Sequence, residues 1–212
     1  MTLREQLQNL ADNSAKKIPA KAQVVMNNAI KKLKTSNILE KAFKTGDTIP
    51  KIELPNAKGV SINLNDILAK GKRIVISFYR GGWCPYCNLE LKALQQSLPE
   101  IKTKNAVLIA INPETPDNSL STLEKNNLEF EVLSDKNNEV AKSLNLVFQL
   151  PEDLQNLYKK FGINLDQVQG NTTQELPIAA TYVIDTNGVI LYHFLDEDYK
   201  LRADPKDILA IL

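Results

Sequence analysis

Cys84 and Cys87 are the only cysteines in the chain, and they stand in a C-x-x-C spacing inside Arg73-Ile-Val-Ile-Ser-Phe-Tyr-Arg-Gly-Gly-Trp-Cys-Pro-Tyr-Cys-Asn-Leu-Glu-Leu91. Two thiols at that spacing can cycle between dithiol and disulfide. The residues around them define where they sit. Ile74 to Tyr79 is an apolar, β-branched run that predicts a buried strand, and Gly81-Gly82 ends it in a turn with unusual backbone angles. Pro85 suits a first helical turn, and Leu91, Leu94 and Leu98 continue at helical spacing. The dithiol therefore lies where strand gives way to helix. Unsatisfied N–H groups there favour a thiolate and lower a cysteine pKa from about 8.5 to between roughly 3.5 and 7.5.

The elements that must hold this turn follow from the rest of the chain. Its 212 residues are 43% apolar and 24% charged, enough for one domain plus an extension. Lys and Arg total 26 against 25 Asp and Glu, which leaves no global field for nucleic acid or an anionic membrane. No stretch approaches the ~20 apolar residues of a membrane span. The start is polar and charged, and a lone C-x-x-C pair staples no domain, so a cytoplasmic protein with a reactive dithiol is expected.

Residues 2 to about 13 read as a helix broken at Ile18-Pro19, and a second helix carries Val25, Ala29, Ile30 and Leu33 on one face. Its lysines, Lys21, Lys31, Lys32 and Lys34, read as a solvated face. Ser36-Asn37 reads as the cap of a third, short helix. These elements form a helical extension over residues 1–45, ahead of a main domain over 46–212 whose boundary is marked by Thr45-Gly46-Asp47 and Pro50. From there strands and helices alternate. Strands are expected near Ile52–Leu54, Val60–Asn63, Ile74–Tyr79, Ala106–Ile111, Phe130–Leu133, Thr181–Ile184 and Val189–Phe194, with Asn187-Gly188 turning the last pair and Ser134-Asp135 capping a helix. Asn164 to Leu176 reads as a polar loop, and Asp204-Pro205 begins a closing helix. The fold class is α/β, a central mixed sheet flanked by helices, in the order a thioredoxin-like domain requires.

Several stretches resemble the peroxiredoxins of the alkyl hydroperoxide reductase and thiol-specific antioxidant family. They are Gly46-Asp-Thr-Ile-Pro50, Ser77-Phe-Tyr79, Val132-Leu-Ser-Asp135 and Thr181-Tyr-Val-Ile-Asp-Thr-Asn-Gly-Val-Ile190, across roughly residues 46 to 196. Phe78 to Leu91 and Phe194-Leu-Asp-Glu-Asp-Tyr199 resemble a branch with a helical N-terminal extension. The resemblance implies a thiol peroxidase without metal or organic cofactor. In it Cys87 attacks hydrogen peroxide or an organic hydroperoxide, becomes a sulfenic acid and condenses with Cys84, and thioredoxin or glutathione/glutaredoxin reduces the disulfide. Aligned on the family's Pro-x-x-x-Thr/Ser-x-x-Cys, Arg80 takes the proline position and Cys84 the hydroxyl position. The family's arginine, just before the Thr181 strand, is replaced by Ile178, Ala179 and Ala180. Arg80 is expected to supply the missing positive charge, and Tyr79, Trp83 and Tyr86 are expected to meet the substrate.

A second reading takes Cys-Pro-Tyr-Cys as it occurs in glutaredoxins, with Cys84, nearer the turn and more exposed, attacking a disulfide and Cys87 resolving it. That mechanism wants a proline opposite the pair, for which Pro177 is the nearby candidate. A non-turnover redox sensor is a third. Zinc is disfavoured because His193 is the only imidazole, and His193 itself reads as a sheet residue. Glu90 reads as a surface carboxylate, and the apolar stripe of the extension must be covered by its own domain or by a second subunit in a homodimer.

Overall fold

The computed structural model describes all 212 residues. Thr2 opens α1 (Leu3–Lys17) with a capping box: Glu5 N–H donates to Thr2 Oγ1 at 3.2 Å and Thr2 N–H to Glu5 Oε2 at 2.8 Å. This helix runs past the expected end near residue 13, because nothing before Ile18-Pro19 interrupts it. α2 (Ala20–Thr35) and α3 (Ile38–Lys41) follow. The expected cap at Ser36-Asn37 is absent: Asn37 adopts a left-handed φ of 53° and caps nothing with its side chain, so it acts as a bend between helices.

β1 (Glu53–Pro55) pairs antiparallel with β2 (Ser61–Asn63), and α4 (Leu64–Leu68) leads into β3 (Arg73–Phe78). Then come α5 (Pro85–Thr103), β4 (Ala106–Asn112), α6 (Pro116–Asn126), β5 (Glu131–Ser134) and α7 (Glu139–Ser143). As expected, Asp135 caps the last of these, accepting from Val140 N–H at 3.0 Å and Ala141 N–H at 2.9 Å. β6 (Val147–Gln149), α8 (Glu152–Lys160), α9 (Leu165–Gln169) and β7 (Glu175–Pro177) form an excursion before β8 (Ala180–Ile184), β9 (Ile190–Leu195) and α10 (Pro205–Ile211). The expected polar loop over 164–176 is thus corrected: it contains α9 and a strand. β7 escapes a sequence reading because three residues carry no period and their partner β6 lies on the far side of two helices. The β8–β9 turn needs positive φ only at Gly188, at 81°, and not at Asn187.

The main sheet has five strands in the order β5-β4-β3-β8-β9, with β3, β4 and β5 parallel and β8 and β9 antiparallel. Strand alternation divides its two faces. Ile74, Ile76 and Phe78 join Ile109, Ile111 and Tyr182 on one side. Val75 and Tyr79 join Leu108, Ala110 and Val183 on the other, under α5. This alternation decides that Ser77 and Tyr79 face the cysteine helix.

The N-terminal helices belong to the same packing. Leu3 and Leu7 of α1 are buried in the apolar cluster that contains Cys84, Tyr86 and Leu91, and Ala22 of α2 packs with Leu154 and Tyr158 of α8. The lysines of α2 are exposed, as expected of a solvated face. No helix is long and apolar enough to cross a membrane. Leu7→Ala should cost about 2–5 kcal/mol locally, loosening α1 from α5 and raising the rate at which iodoacetamide labels the dithiol, read by mass spectrometry. Unchanged labelling would show that α1 does not cover the sulfurs.

Candidate active site

Cys84 is the N-cap of α5, with extended φ and ψ of −87° and 116°, and Pro85 follows at the first helical position, where its missing N–H costs nothing. Cys87 is three residues on, inside the first turn. Three neighbours crowd the turn that precedes them. A Cβ on Gly81, whose φ is +146°, would meet Trp83 Nε1 at 2.4 Å and Glu114 Oε1 at 2.8 Å; one on Gly82 would meet Thr122 Oγ1 at 2.0 Å. The two glycines are therefore required, the first for conformation and close approach and the second for close approach alone.

Both sulfurs are buried, Cys84 at 1% exposure and Cys87 at 0%, which corrects the expectation that Cys84 is the more exposed. The extension, Tyr86 and Tyr199 share their apolar cluster. Arg80 and Arg202 bring positive charge to this buried pair. Arg202 Nη2 donates to Cys87 Sγ at 3.3 Å, and Arg202 Nε donates to Glu90 Oε2 at 2.6 Å, both side chains being almost fully enclosed. Glu90 is therefore no surface carboxylate. Its Oε1 accepts from Ser77 Oγ at 3.3 Å and Thr181 Oγ1 at 3.5 Å. Burial pushes the Glu90 carboxyl up to about 7, with Arg202 opposing; its three hydrogen bonds, from Arg202, Ser77 and Thr181, favour the ionised form.

Arg80 is held in an aromatic box. Its guanidinium lies 4.5 Å from the Tyr199 ring centroid, 4.9 Å from Trp83 and 5.7 Å from Tyr158, and it donates to the Tyr158 hydroxyl. Burial works against both guanidinium charges, but Tyr158 and the cysteines for Arg80, and Glu90 and the cysteines for Arg202, more than offset it.

The two thiols divide accordingly. Cys84 is lowered to about 6, first by hydrogen bonding from Cys87, against the opposing effect of burial, and then by Arg80 and Arg202. Cys87 is pushed up, first by burial and then by Cys84. The pair thus gives up one proton readily and holds the second. Resting charge on Cys84 and a guanidinium on Cys87 describe one shared S–H···S⁻ unit.

Every residue expected at the site is gathered there. Tyr79 shares the buried cluster of Cys84 and Cys87, Trp83 packs on Tyr158 with ring centroids 5.5 Å apart, and Tyr86 meets Tyr199 edge-on at 5.5 Å. His193 is elsewhere, its Nδ1 accepting from Thr45 N–H at 3.1 Å. Pro177 ends β7 in a trans peptide, paired across to Val147. The sequence reading missed Arg202, Glu114, Tyr158 and Tyr199. One signal for Arg202 was available: the chain holds four arginines against many lysines, and Arg202 is the only one beyond Arg80. A narrow cleft with a cavity volume of about 30 Å³ lies between Met26, Ala29 and Leu33 of α2 and Tyr158 of α8, with Arg80 and Tyr199 among its walls.

The AhpC/TSA family profile matches residues 45–193, well over half of the chain. The chain belongs to the AhpC/TSA family. It is 36% identical over 100 residues to the putative peroxiredoxin bcp of Buchnera aphidicola subsp. Schizaphis graminum, covering 47% of this chain and 62% of that one. It is 29% identical over 148 residues to the putative peroxiredoxin bcp of Helicobacter pylori strain J99, covering 70% and 85%. The chain thus spans under two thirds of the length of the first of these relatives. In fold it is similar to peroxidoxin BcpB from Mycobacterium tuberculosis, with a TM-score of 0.61 at 22% identity over 80% of this chain and 96% of that one. These likenesses agree with the thioredoxin-like architecture expected from the sequence.

Because both arginines favour the thiolate, acid should silence the dithiol. Thiolate absorbance of the wild type should rise with a midpoint at about pH 6. Arg202→Met in a Glu90→Gln background, which avoids leaving a buried carboxylate unpaired, should move that midpoint up by about one unit or more. An unmoved midpoint would remove Arg202 from thiolate stabilisation.

Proposed function

We propose that this member of the AhpC/TSA family is a thiol-dependent peroxidase that reduces hydrogen peroxide or organic hydroperoxides through Cys87 and Cys84. The observation that carries the reading is the guanidinium of Arg202 donating to Cys87 Sγ at 3.3 Å beside a second thiol in hydrogen-bond contact. The shared proton moves from Cys87 to Cys84, leaving the charge on Cys87, where Arg202 stabilises it. Cys87 thiolate attacks one peroxide oxygen, the O–O bond breaks, and Cys87 becomes a sulfenic acid while an alkoxide or hydroxide departs. Cys84, now the thiol, attacks the sulfenic sulfur; an S–S bond forms and hydroxide leaves with the Cys84 proton as water. Two thiols of an external donor, thioredoxin or glutathione/glutaredoxin, then reduce the disulfide and are themselves oxidised.

Arg80 lies among Trp83, Tyr158 and Tyr199 on the side of the cleft, and its charge is felt by both sulfurs. It takes the positive role that the family assigns to the segment now occupied by Ile178, Ala179 and Ala180. Arg202 supplies a second charge from beyond β9. Tyr79, Trp83 and Tyr86 close the surroundings of the reacting oxygen. Residues 1–45 act as a lid-like extension on a catalytic domain over 46–212.

One observation favours a second reading. The sulfur held lowest is Cys84, at about 6, as a thiol-disulfide oxidoreductase attacking through its first cysteine requires. The two readings separate on single variants assayed for peroxide consumption with a thioredoxin or glutathione reducing system, with sulfenic acid trapped by dimedone. Cys84→Ser restores the family's hydroxyl and should still form a sulfenic acid on Cys87, while Cys87→Ser should lose peroxide consumption by at least about 100-fold. If neither variant exceeds a free thiol with peroxide and the wild type reduces disulfides through Cys84, the chain is an oxidoreductase.

A further inference from the structure

The apolar stripe of α2 is only partly covered. Ala22 is buried in a cluster with Leu154, Leu157 and Tyr158 of α8, and Val25 packs against the same cluster. Met26, Ala29, Ile30 and Leu33 continue the stripe at helical spacing, yet they stay half-buried and form one wall of the narrow cleft. Phe148, Leu154, Tyr158 and Ile178, from the excursion that begins at β6, stand among its other walls. One side of the cleft thus comes from a helix that ends before residue 45, where the match to the family begins.

The walls define what the cleft can take. They are mostly apolar, and the volume of about 30 Å³ equals roughly two or three water-sized groups. That is width for a slim alkyl chain and not for a branched or aromatic body. The polar feature is Arg80, 3% exposed, which donates through Nη2 to the Tyr158 hydroxyl while its buried Nε–H meets no protein acceptor. A buried donor of this kind gains from a ligand oxygen. Asp196 and Glu197 also line the cleft and neither is in an ion pair, so two carboxylates against one guanidinium favour an uncharged chain over an anionic one.

The same walls adjoin the dithiol. Tyr199 lines the cleft, lies with its ring centroid 4.5 Å from the Arg80 guanidinium and meets Tyr86, which stands between the two cysteines, edge-on at 5.5 Å. Trp83, the neighbour of Cys84, packs against both apolar clusters, the one that holds the sulfurs and the one that joins α2 to α8.

We propose that this cleft binds the hydrocarbon part of an uncharged, unbranched alkyl hydroperoxide with its oxygens toward Arg80, and that Met26, Ala29 and Leu33 make α2 the element that selects such substrates over hydrogen peroxide. The inference deepens the peroxidase reading and rests on it. Hydrogen peroxide has no carbon to place against α2, so only the alkyl substrate draws binding energy from that wall.

The test is kcat/KM of the full chain for n-butyl hydroperoxide, cumene hydroperoxide and hydrogen peroxide, with a thioredoxin or glutathione reducing system. Two variants change the width in opposite directions, and both introduce strong helix formers, so α2 is kept. Ala29→Leu fills the cleft and should lower the ratio of n-butyl hydroperoxide to hydrogen peroxide by about tenfold, chiefly through KM. Met26→Ala widens it and should raise the ratio of cumene to n-butyl hydroperoxide by about tenfold. Ratios within about twofold of wild type in both variants, or rates that fall equally for all three peroxides, overturn the inference and leave the peroxidase standing. A wild type that consumes none of the three overturns both.

Discussion

The site depends on one buried ion pair. Arg202 and Glu90 meet at 2.6 Å with almost no solvent, and neither charge is tolerable there alone. Each is completed by a different part of the fold. Glu90 takes the Ser77 and Thr181 hydroxyls from the two central strands. Arg202 spends one nitrogen on Cys87 and another on the carbonyls of Tyr199 and Leu201. Sheet, cysteine helix and C-terminal segment are thereby locked in one register, and a guanidinium is delivered to a sulfur with little freedom left to lose.

That lock explains how a chain with apolar residues before its eighth strand can still place positive charge at the thiols. The cation arrives from the opposite direction, on a segment that wraps back after β9. Arg80 adds a second cation from the strand end, enclosed by Trp83, Tyr158 and Tyr199. Both charges act in a dry pocket, where they are screened little and count for more than on a surface. The same dryness pushes the Glu90 and Glu114 carboxyls up to about 7, and at Glu90 the ion pair with Arg202 opposes it.

The N-terminal helices contribute to this enclosure. Leu3 and Leu7 occupy the cluster that holds Cys84, while α2 covers the excursion that carries Tyr158. Stability and access are thus coupled in a single packing arrangement: whatever opens a path to the sulfurs must move groups that also hold the core together.

The strand-turn-helix around Cys84 and Cys87 was legible from local chemistry alone. β-branched residues, paired glycines, Pro85 and helically spaced leucines all specify the same backbone, so neighbours in sequence suffice. For the same reason Arg80, Tyr79, Trp83 and Tyr86, which lie within a few residues of the pair, were identified and are gathered at the site. What tertiary structure alone decided is the electrostatics. Glu90 resembles any helix-surface carboxylate until Arg202, 112 residues later, is folded onto it. Glu114 resembles a loop acid until Gly82 donates to it from 32 residues away. β6 and β7 are too short to announce a pairing across two helices. Short-range geometry is written in residue types, whereas the charge and dryness felt by a sulfur are set by groups that only a closed chain brings within reach.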